Sequence, residues 1–361
     1  MHKNKYFLLL KTGDAELRSL ENYKEAKEHI FPIIEITRGR KSKYDSIGLI
    51  EKRLDKVKNI FKNTDVCLDL TTSYDLSNSE IDNLFSYSDG YRSWIEFVNN
   101  INNEMAFKSI TPTILVDTND PDLKNNLRLQ VQELSTRYST ISYRNNIQDD
   151  GCYDDLENIK DIIAKENPSL LFILDCEYIA PGVWTHFANK IVVRIREILK
   201  IIPTIKFIIV STSFPKFVSD IGNDETDTFH LNEIEIYREV INQIKTNDIY
   251  YGDYGSINPE RNDQIIMSRG WVPRIDVPLA SEIFYYRQKR GANEYSEVYS
   301  ELARNYIMQD VRFPHNLSNN WGIEQIELSA DGFNPGSSPS FWISVRMNIH
   351  IQQQLKRLGY L

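Results

Sequence analysis

Eight short apolar segments, separated by longer amphipathic stretches, restrict the fold of this 361-residue chain more than any other feature. The segments are rich in β-branched and aromatic residues and are often apolar at every position, as is typical of parallel strands covered on both faces. The predicted strands are KYFLLL (5–10), FPIIEI (31–36), DVCLDL (65–70), TPTILVD (111–117), TISYR (140–144), SLLFILD (169–175), KFIIVST (206–212) and DIYYGDY (248–254).

The stretches between these strands carry apolar residues at helical spacing, as in 46–62, where Ile50, Leu54 and Val57 fall on one face. Successive strands also lie at the spacing that βα units require. Eight such units predict an α/β fold, a (β/α)₈ TIM-like barrel over residues 1–255. A doubly wound open sheet is the alternative, although the chain lacks the GxGxxG motif of dinucleotide-binding sheets.

The remaining residues, 256–361, are richer in turn residues and charge than the predicted barrel. We expect them to form a C-terminal extension that packs on the barrel. Its predicted elements are, in order, a strand pair made of VPRIDV (272–277) and EIFYYRQ (282–288), a helix over 295–308, a polar loop at 310–322, a Gly/Ser/Pro segment at 329–340 and a terminal helix over 341–361.

Charge and cysteine content argue against several function classes. The net charge of −9 does not favour binding to nucleic acid, although a local basic groove is compatible with it. Cys67, Cys152 and Cys176 form no CxxC pair, which argues against a disulfide framework or a zinc knuckle and indicates a reducing, cytoplasmic location. No apolar run approaches the ~20 residues of a membrane-spanning helix, so no membrane partner is expected.

Acidic residues follow the predicted strands at or near the point where each strand ends. They are Glu35, Asp69, Asp117, Asp175 and Asp253. Because the loops after the strands build the active site of an α/β barrel, we expect these carboxylates to converge at one mouth and to need cationic partners. Lys11, Arg144 and Arg287 are the candidate partners and the candidate substrate-binding residues. A solvated rim residue or a structural ion pair is the alternative for any single acid.

Paired carboxylates at such a mouth suit two chemistries. Asp69, Asp175 and Asp253 are predicted to bind a divalent metal, Mg²⁺ or Mn²⁺, through oxygen ligands. Asp117, Asp175, Asp253 and Glu35 are predicted catalytic groups for general acid–base work. The spacing of these residues in the sequence does not choose between the two.

Several segments together resemble one protein family. They are YFLLLKTGDAELRSL (6–20), IFPIIEIT (30–37), IYYGDYGSINPE (249–260), IFYYRQKRG (283–291) and WISVRMNIHIQQQLKRL (342–358). This set is similar to the beta family, a bacterial and phage group that we expect to be named after the beta protein of a T-even phage. On that resemblance, the positions that match the family are Lys11, Glu16, Glu35, Asp253, Arg287, Arg290, Trp342, Asn348 and His350. The family often carries two adjacent histidines near its last helix, but here Ile349 precedes His350, which puts a role that needs both imidazoles in doubt.

Two functions follow as hypotheses. The first is a hydrolase whose acidic barrel mouth acts on an anionic substrate, a nucleotide or a nucleic-acid phosphodiester, held by Lys11, Arg144, Arg287 and His350. The second is a non-catalytic recognition module of a phage-defence system, which would bind a nucleotide signal or a phage or defence protein. The family resemblance implies a setting in phage–host conflict and no particular reaction.

Overall fold

Eight parallel strands close into a barrel in the computed structural model, which describes residues 5–217, 225–246, 248–260, 270–317 and 319–361. The barrel strands are, in order, β1 (Tyr6–Lys11), β2 (Ile30–Ile36), β3 (Asp65–Leu70), β4 (Ser109–Ile114), β5 (Thr140–Asn146), β6 (Ser169–Tyr178), β7 (Lys206–Thr212) and β9 (Ile249–Asp253). Strand β9 pairs with both β7 and β1 and so closes the ring. The prediction of a (β/α)₈ barrel is therefore confirmed, and the open-sheet alternative is wrong.

Alternate side chains of each barrel strand fill the interior, because successive residues of a strand point to opposite faces. The apolar residues of this inner layer include Phe7, Leu9, Phe31, Ile33, Cys67, Leu171, Ile173, Ile208 and Val210. Two residues further along their strands, the same inward positions are held by Lys11, Glu35, Asp69 and Asp175. The strand period therefore brings the polar residues into one layer above the apolar interior, at the carboxyl ends of the strands.

Helices cover the outside of the barrel and continue into the C-terminal region. They are α1 (Asp14–Glu21), α2 (Glu51–Ile60), α3 (Ser79–Leu84), α4 (Ser88–Asn103), α5 (Leu123–Arg137), α6 (Cys152–Glu166), α7 (Trp184–Ile201), α8 (Asn232–Gln243), α9 (Tyr295–Leu302), α10 (Trp321–Ala330) and α11 (Pro339–Arg357). None of the helices in the described ranges is long and apolar enough to cross a membrane.

A small antiparallel sheet lies beside the barrel. Its strands are β10 (Arg274–Pro278), β11 (Glu282–Arg287) and β8 (Thr226–His230), with β11 in the centre. Strand β8 lies between β7 and β9 in the chain and was not predicted. Its sequence, TDTFH, is mostly polar, and it contains no apolar run. Helix α10 was also missed, since it follows directly on a stretch that reads as a polar loop.

Helix α11 joins the hydrophobic layer between the barrel strands and their helices to the core beneath the small sheet. Met347, Ile351 and Leu355 pack into the first, while Val345 and Ile349 pack into the second. Helix α10 approaches α11 closely at Gly322, where an added Cβ would lie 2.6 Å from the Val345 carbonyl oxygen. A glycine is therefore required at this helix crossing.

Asn348 is fully buried at the centre of α11 and fixes its neighbours. Its Oδ1 accepts a hydrogen bond from the Gly322 amide (3.1 Å), and its Nδ2 donates to the Ser19 carbonyl of α1 (3.0 Å). The side chain thus connects α11 to a barrel helix on one side and to α10 on the other.

We expect the substitution Asn348→Ala to lower the free energy of unfolding by about 2 to 4 kcal/mol, because it leaves a buried donor and a buried acceptor without partners. Urea denaturation followed by circular dichroism measures this change. Lys356→Ala, at an exposed position of the same helix, is the matched control and should change little. Equal stability of the two variants would contradict the bridging role of Asn348.

Candidate functional site

Arg144 occupies the centre of the barrel mouth and holds three carboxylates. Its Nη1 lies 2.9 Å from Glu35 Oε2 and 2.8 Å from Asp69 Oδ2. Its Nε and Nη2 lie 2.9 and 2.7 Å from Asp175 Oδ2. A planar guanidinium suits this arrangement because its five donors point in fixed directions. The acids at the strand ends are therefore gathered around one cation, which we call the Arg144 cluster (Glu35, Asp69, Arg144 and Asp175).

Strand register explains why these residues meet. Glu35 of β2 pairs with Asp69 of β3 on one side and with Lys11 of β1 on the other. Lys11 Nζ lies 3.5 Å from Glu35 Oε1 and donates a hydrogen bond to the Pro259 carbonyl (2.9 Å). Arg144 reaches the three acids from β5, across the barrel.

Tyr254 completes the cluster from the end of β9. Its hydroxyl lies 2.6 and 2.7 Å from the two carboxylate oxygens of Asp175 and 3.4 Å from Arg144 Nη2. Burial, followed by the nearby charge of Asp175, raises the pKa of Tyr254 well above its usual value. The hydroxyl therefore stays protonated and donates to Asp175.

The carboxyl groups of the cluster differ in acidity. Burial alone would raise the pKa of Glu35, but the charges of Lys11 and Arg144 outweigh it and lower the pKa to about 2. Burial raises the pKa of Asp69, and the Arg144 charge offsets only part of this effect, while the Glu35 charge adds to it. Two acids that share one guanidinium nitrogen thus have pKa values shifted in opposite directions, which is typical of acid–base sites.

Glu177 stands directly beside the cluster in an unusual backbone conformation. Its φ is 52°, in the left-handed region, and β6 has an irregular register between Asp175 and Tyr178. The Glu177 amide donates to Asp175 Oδ1 (2.9 Å). Although the residue as a whole is exposed, the partial burial of its carboxyl group and the charge of Asp175 raise its pKa. Bulges and strained residues of this kind concentrate at functional sites.

A pocket of about 540 Å³ opens next to Glu177. Its wall is continuous with the cluster, because Pro259 lines the pocket and accepts the hydrogen bond from Lys11. Its lining includes Asn146, Glu177, Tyr178, Phe187, Lys216 and Phe217. The pocket therefore combines aromatic rings, one lysine and a carboxyl group with a raised pKa.

The structure brings together three of the five predicted acids and places the other two elsewhere. Asp117 closes a turn after β4, where its carboxylate accepts hydrogen bonds from the backbone amide and the side chain of Asn119 (2.9 and 3.0 Å). Arg287, a predicted substrate-binding residue, lies in β11 opposite Arg274, within the small sheet. Asp117 follows a barrel strand, but its carboxylate bonds within its own turn and not to Arg144. Arg287 ends a strand of the small sheet and not of the barrel.

Asp253 faces away from the barrel interior, towards the helices. Its carboxylate accepts hydrogen bonds from the hydroxyl groups of Tyr6 and Tyr251 and lies 2.9 Å from His350 Nε2. Burial alone would raise the pKa of Asp253, but the charge of His350 and these hydrogen bonds lower it below its usual value. Asp253 and His350 are both fully buried, so this pair connects β9 to α11 and does not belong to the mouth.

A metal site built from Asp69, Asp175 and Asp253 does not fit this geometry, because Asp253 is separate from the other two. Within the described ranges, no group of three His, Cys, Asp or Glu residues is arranged to hold a metal ion. The guanidinium of Arg144 already contacts the oxygens of Asp69 and Asp175.

Glu233 of α8 lies near the Asp253–His350 pair and was not predicted from the sequence. Its Oε2 accepts a hydrogen bond from Ser213 Oγ (2.5 Å), and among the described residues its Oε1 has no partner. Burial, together with the charge of Asp253, raises the pKa of Glu233 to about 7. The sequence places Glu233 in the first turn of a predicted helix, where an acidic residue is usually exposed to solvent.

Comparison with known proteins agrees with the resemblance noted in the sequence. The Beta protein family model matches residues 6–356, nearly the whole chain. The chain belongs to the Beta protein family. A relative is Protein beta of Enterobacteria phage P4, which is 28% identical over 355 residues that cover 97% of this chain and 93% of that protein. The family assignment is confirmed, whereas the expected link to a T-even phage is wrong, since this relative comes from phage P4.

This Beta protein family member should lose stability when the cation at its mouth is removed. We expect Arg144→Met to lower the free energy of unfolding by about 3 to 5 kcal/mol at neutral pH, because three buried carboxylates lose the guanidinium that they share. The loss should shrink as the pH falls and the unpaired carboxylates take up protons. Arg128→Met removes an exposed pair with Asp161 (2.8 Å) and is the control, with little expected change. A pH-independent loss in Arg144→Met would contradict the electrostatic role.

Glu233 should make the stability of this family member depend on pH. The pKa of the Glu233 carboxyl group is raised from 4.5 to about 7 in the folded state. Its contribution to the stability of the fold is therefore complete below pH 4.5 and is lost as the pH rises through about 7. We therefore expect Glu233→Gln to exceed the wild type by about 2 to 3 kcal/mol at about pH 8 and to match it in acid. Denaturation curves across pH measure this, with Glu235→Gln on the same helix as control. A constant difference at all pH values would refute the raised pKa.

Proposed function

We propose that this phage-associated protein is a hydrolase whose active site is the barrel mouth and the adjoining pocket, and whose substrate is an anionic nucleotide or nucleic-acid phosphodiester. The observation that carries this proposal is Glu177, an acid with a raised pKa and a strained backbone on the pocket wall. A carboxyl group with a raised pKa exchanges protons closer to neutral pH, as a general acid or base must.

The residues around Glu177 have supporting roles in this proposal. Asp175 fixes the Glu177 amide and adds to the effect of burial in raising the pKa of the Glu177 carboxyl group, while Arg144 holds Asp175 in place. Asp69, with its raised pKa, is the second group suited to hold a proton. Glu35 stays ionised and pairs with both Lys11 and Arg144.

The pocket supports the substrate class. Tyr178, Phe187 and Phe217 offer aromatic surface for a base or sugar ring. Lys216 lies on the same wall and pairs with Glu260 (2.6 Å) at the exposed edge. An anionic substrate group would take the place of the Glu260 carboxylate on Lys216. The donors of Arg144 are engaged by the cluster, so in this proposal Arg144 orients acids and does not bind the anion directly.

The alternative is a recognition module that binds the same ligand class without turnover. The observation that favours it is the ion pairing of the Arg144 cluster, in which each acid already contacts the guanidinium of Arg144. The family and the phage P4 relative support a phage-associated setting for both alternatives. Phage–host conflict and the antiviral-defence role are part of the proposal. The requirement for Mg²⁺ or Mn²⁺ stays a prediction.

Product analysis by mass spectrometry tests the proposal. The purified protein is incubated with nucleoside phosphates, RNA and DNA in the presence of Mg²⁺, Mn²⁺ or EDTA. We expect Glu177→Gln to lower kcat/KM by about a hundredfold or more, because it removes the acid–base group. Glu96→Gln, at an exposed position on α4, is the matched control.

The outcomes separate the alternatives. Absence of product from the wild type across the panel would refute the hydrolase, and ligand binding without turnover would then favour the recognition module. Equal activity of Glu177→Gln and wild type would refute the assignment of the active site. Product that forms equally well in EDTA would refute the metal requirement.

A further inference from the structure

A basic loop with an exposed aromatic tip rises from the rim of the barrel mouth. The segment 38–46, which we call the rim loop, has the sequence RGRKSKYDS and follows β2, the strand that carries Glu35. Arg40, Lys41 and Lys43 are exposed, and Tyr44 is 94% exposed. This concentration of positive charge stands out in a chain with a net charge of −9.

The rim loop has a defined backbone. The Gly39 amide donates to the Gly48 carbonyl (2.8 Å) and closes the neck of the loop. At its tip, Ser42 and Asp45 exchange backbone hydrogen bonds (2.7 and 3.3 Å). The Asp45 carboxylate accepts hydrogen bonds from the amides of Gly48 and Leu49 (2.7 and 2.9 Å). The single acid of the loop therefore stabilises the backbone at the base of the loop.

Contacts with the β3–α3 connection hold the rim loop at the mouth. The Arg38 amide and Nε donate to the carbonyls of Leu76 (2.8 Å) and Asp75 (3.1 Å). Asn78 Nδ2 donates to the Gly48 carbonyl (2.8 Å) from the same connection. This connection carries a second projecting ring, Tyr74, which is 93% exposed.

Three cations of the rim loop, Arg40, Lys41 and Lys43, form no ion pair with any residue that the structure describes, whereas Arg38 donates a hydrogen bond to a backbone carbonyl. Arg53 and Lys58 of the following helix do form ion pairs, with Asp14 (2.6 Å) and Glu104 (2.6 Å). Like charges repel each other, so three cations placed close together beside an exposed ring would be stabilised by an anionic ligand that binds between them.

We propose that the rim loop binds single-stranded nucleic acid, with Arg40, Lys41 and Lys43 on the phosphates and Tyr44 stacked on a base. Cationic side chains supply the affinity for a polyanion, and exposed aromatic rings stack on bases that are not paired. This inference goes beyond the proposed hydrolase, because the binding needs neither the pocket nor turnover.

The charge distribution favours a single strand over a flat anionic surface. A membrane or a rigid duplex would bring the acidic body of the protein close to further negative charge, which is unfavourable. A flexible strand contacts the rim loop alone and passes over the mouth beside Tyr74.

Fluorescence anisotropy with a labelled single-stranded oligonucleotide, DNA or RNA, tests the proposal. The titration is carried out in EDTA and over a range of salt concentrations, so that binding is scored without hydrolysis. We expect the triple variant Arg40→Gln/Lys41→Gln/Lys43→Gln to reduce the slope of log K against log salt by about 2, since each single-strand phosphate contact contributes about 0.7. We expect Tyr44→Ala to weaken binding about tenfold.

A matched control carries the same change of charge at the opposite end of the barrel. Lys62→Gln/Lys165→Gln/Lys200→Gln alters three exposed lysines after α2, near the end of α6 and near the end of α7. This variant should bind like the wild type, and all variants should unfold at the wild-type temperature because the altered side chains are exposed.

Three results would overturn the proposal. They are absence of oligonucleotide binding by the wild type at low salt, equal loss of binding in the rim-loop and control variants, and loop-dependent binding to phosphatidylserine vesicles without binding to the oligonucleotide. Failure of the hydrolase assay with intact oligonucleotide binding would leave this inference in place. Hydrolysis of nucleotides without oligonucleotide binding would refute this inference and leave the hydrolase in place.

Discussion

The contact between Arg144 and three carboxylates determines the character of the barrel mouth. Acids placed together in a partly closed space repel one another and lose hydration, so they need a cation held at close range. Arg144 provides it with a fork of donors that reaches Glu35, Asp69 and Asp175 at 2.7–2.9 Å. Because the guanidinium is common to all three, the position of each acid depends on the others, and the three strand ends are connected through one side chain.

The position of Asp175 in this cluster has a consequence for the neighbouring Glu177. Asp175 binds the Glu177 amide, and Glu177 takes a left-handed backbone conformation that a glutamate adopts only when its surroundings impose it. Partial burial of the Glu177 carboxyl group and the nearby charge of Asp175 together raise its pKa. Asp175 therefore contributes to both the unusual backbone and the altered acidity of this pocket residue.

The buried Asp253–His350 pair has a structural role instead. Asp253 and His350 lie between the barrel and α11, fully buried, at the place where the terminal helix docks. Asn348, close by on α11, makes the connection to α1 and α10. Several positions that the family resemblance singled out thus hold the C-terminal region on the barrel, while Lys11 and Glu35 belong to the mouth.

The sequence by itself determined the barrel, because the period of two and the apolar runs of the eight strands are local properties of the chain. It also indicated that polar residues would gather at the strand ends. Which of them meet was decided by the tertiary structure, through strand register and ring closure: Arg144 reaches acids from three other strands, and β8 joins a sheet formed with distant residues. Adjacent residues of a strand point to opposite faces, so only one of Asp253 and Tyr254 can face the barrel interior, and in the structure it is Tyr254. Two partners of Asp253, Tyr6 and His350, come from β1 and α11, and only packing brings those elements together.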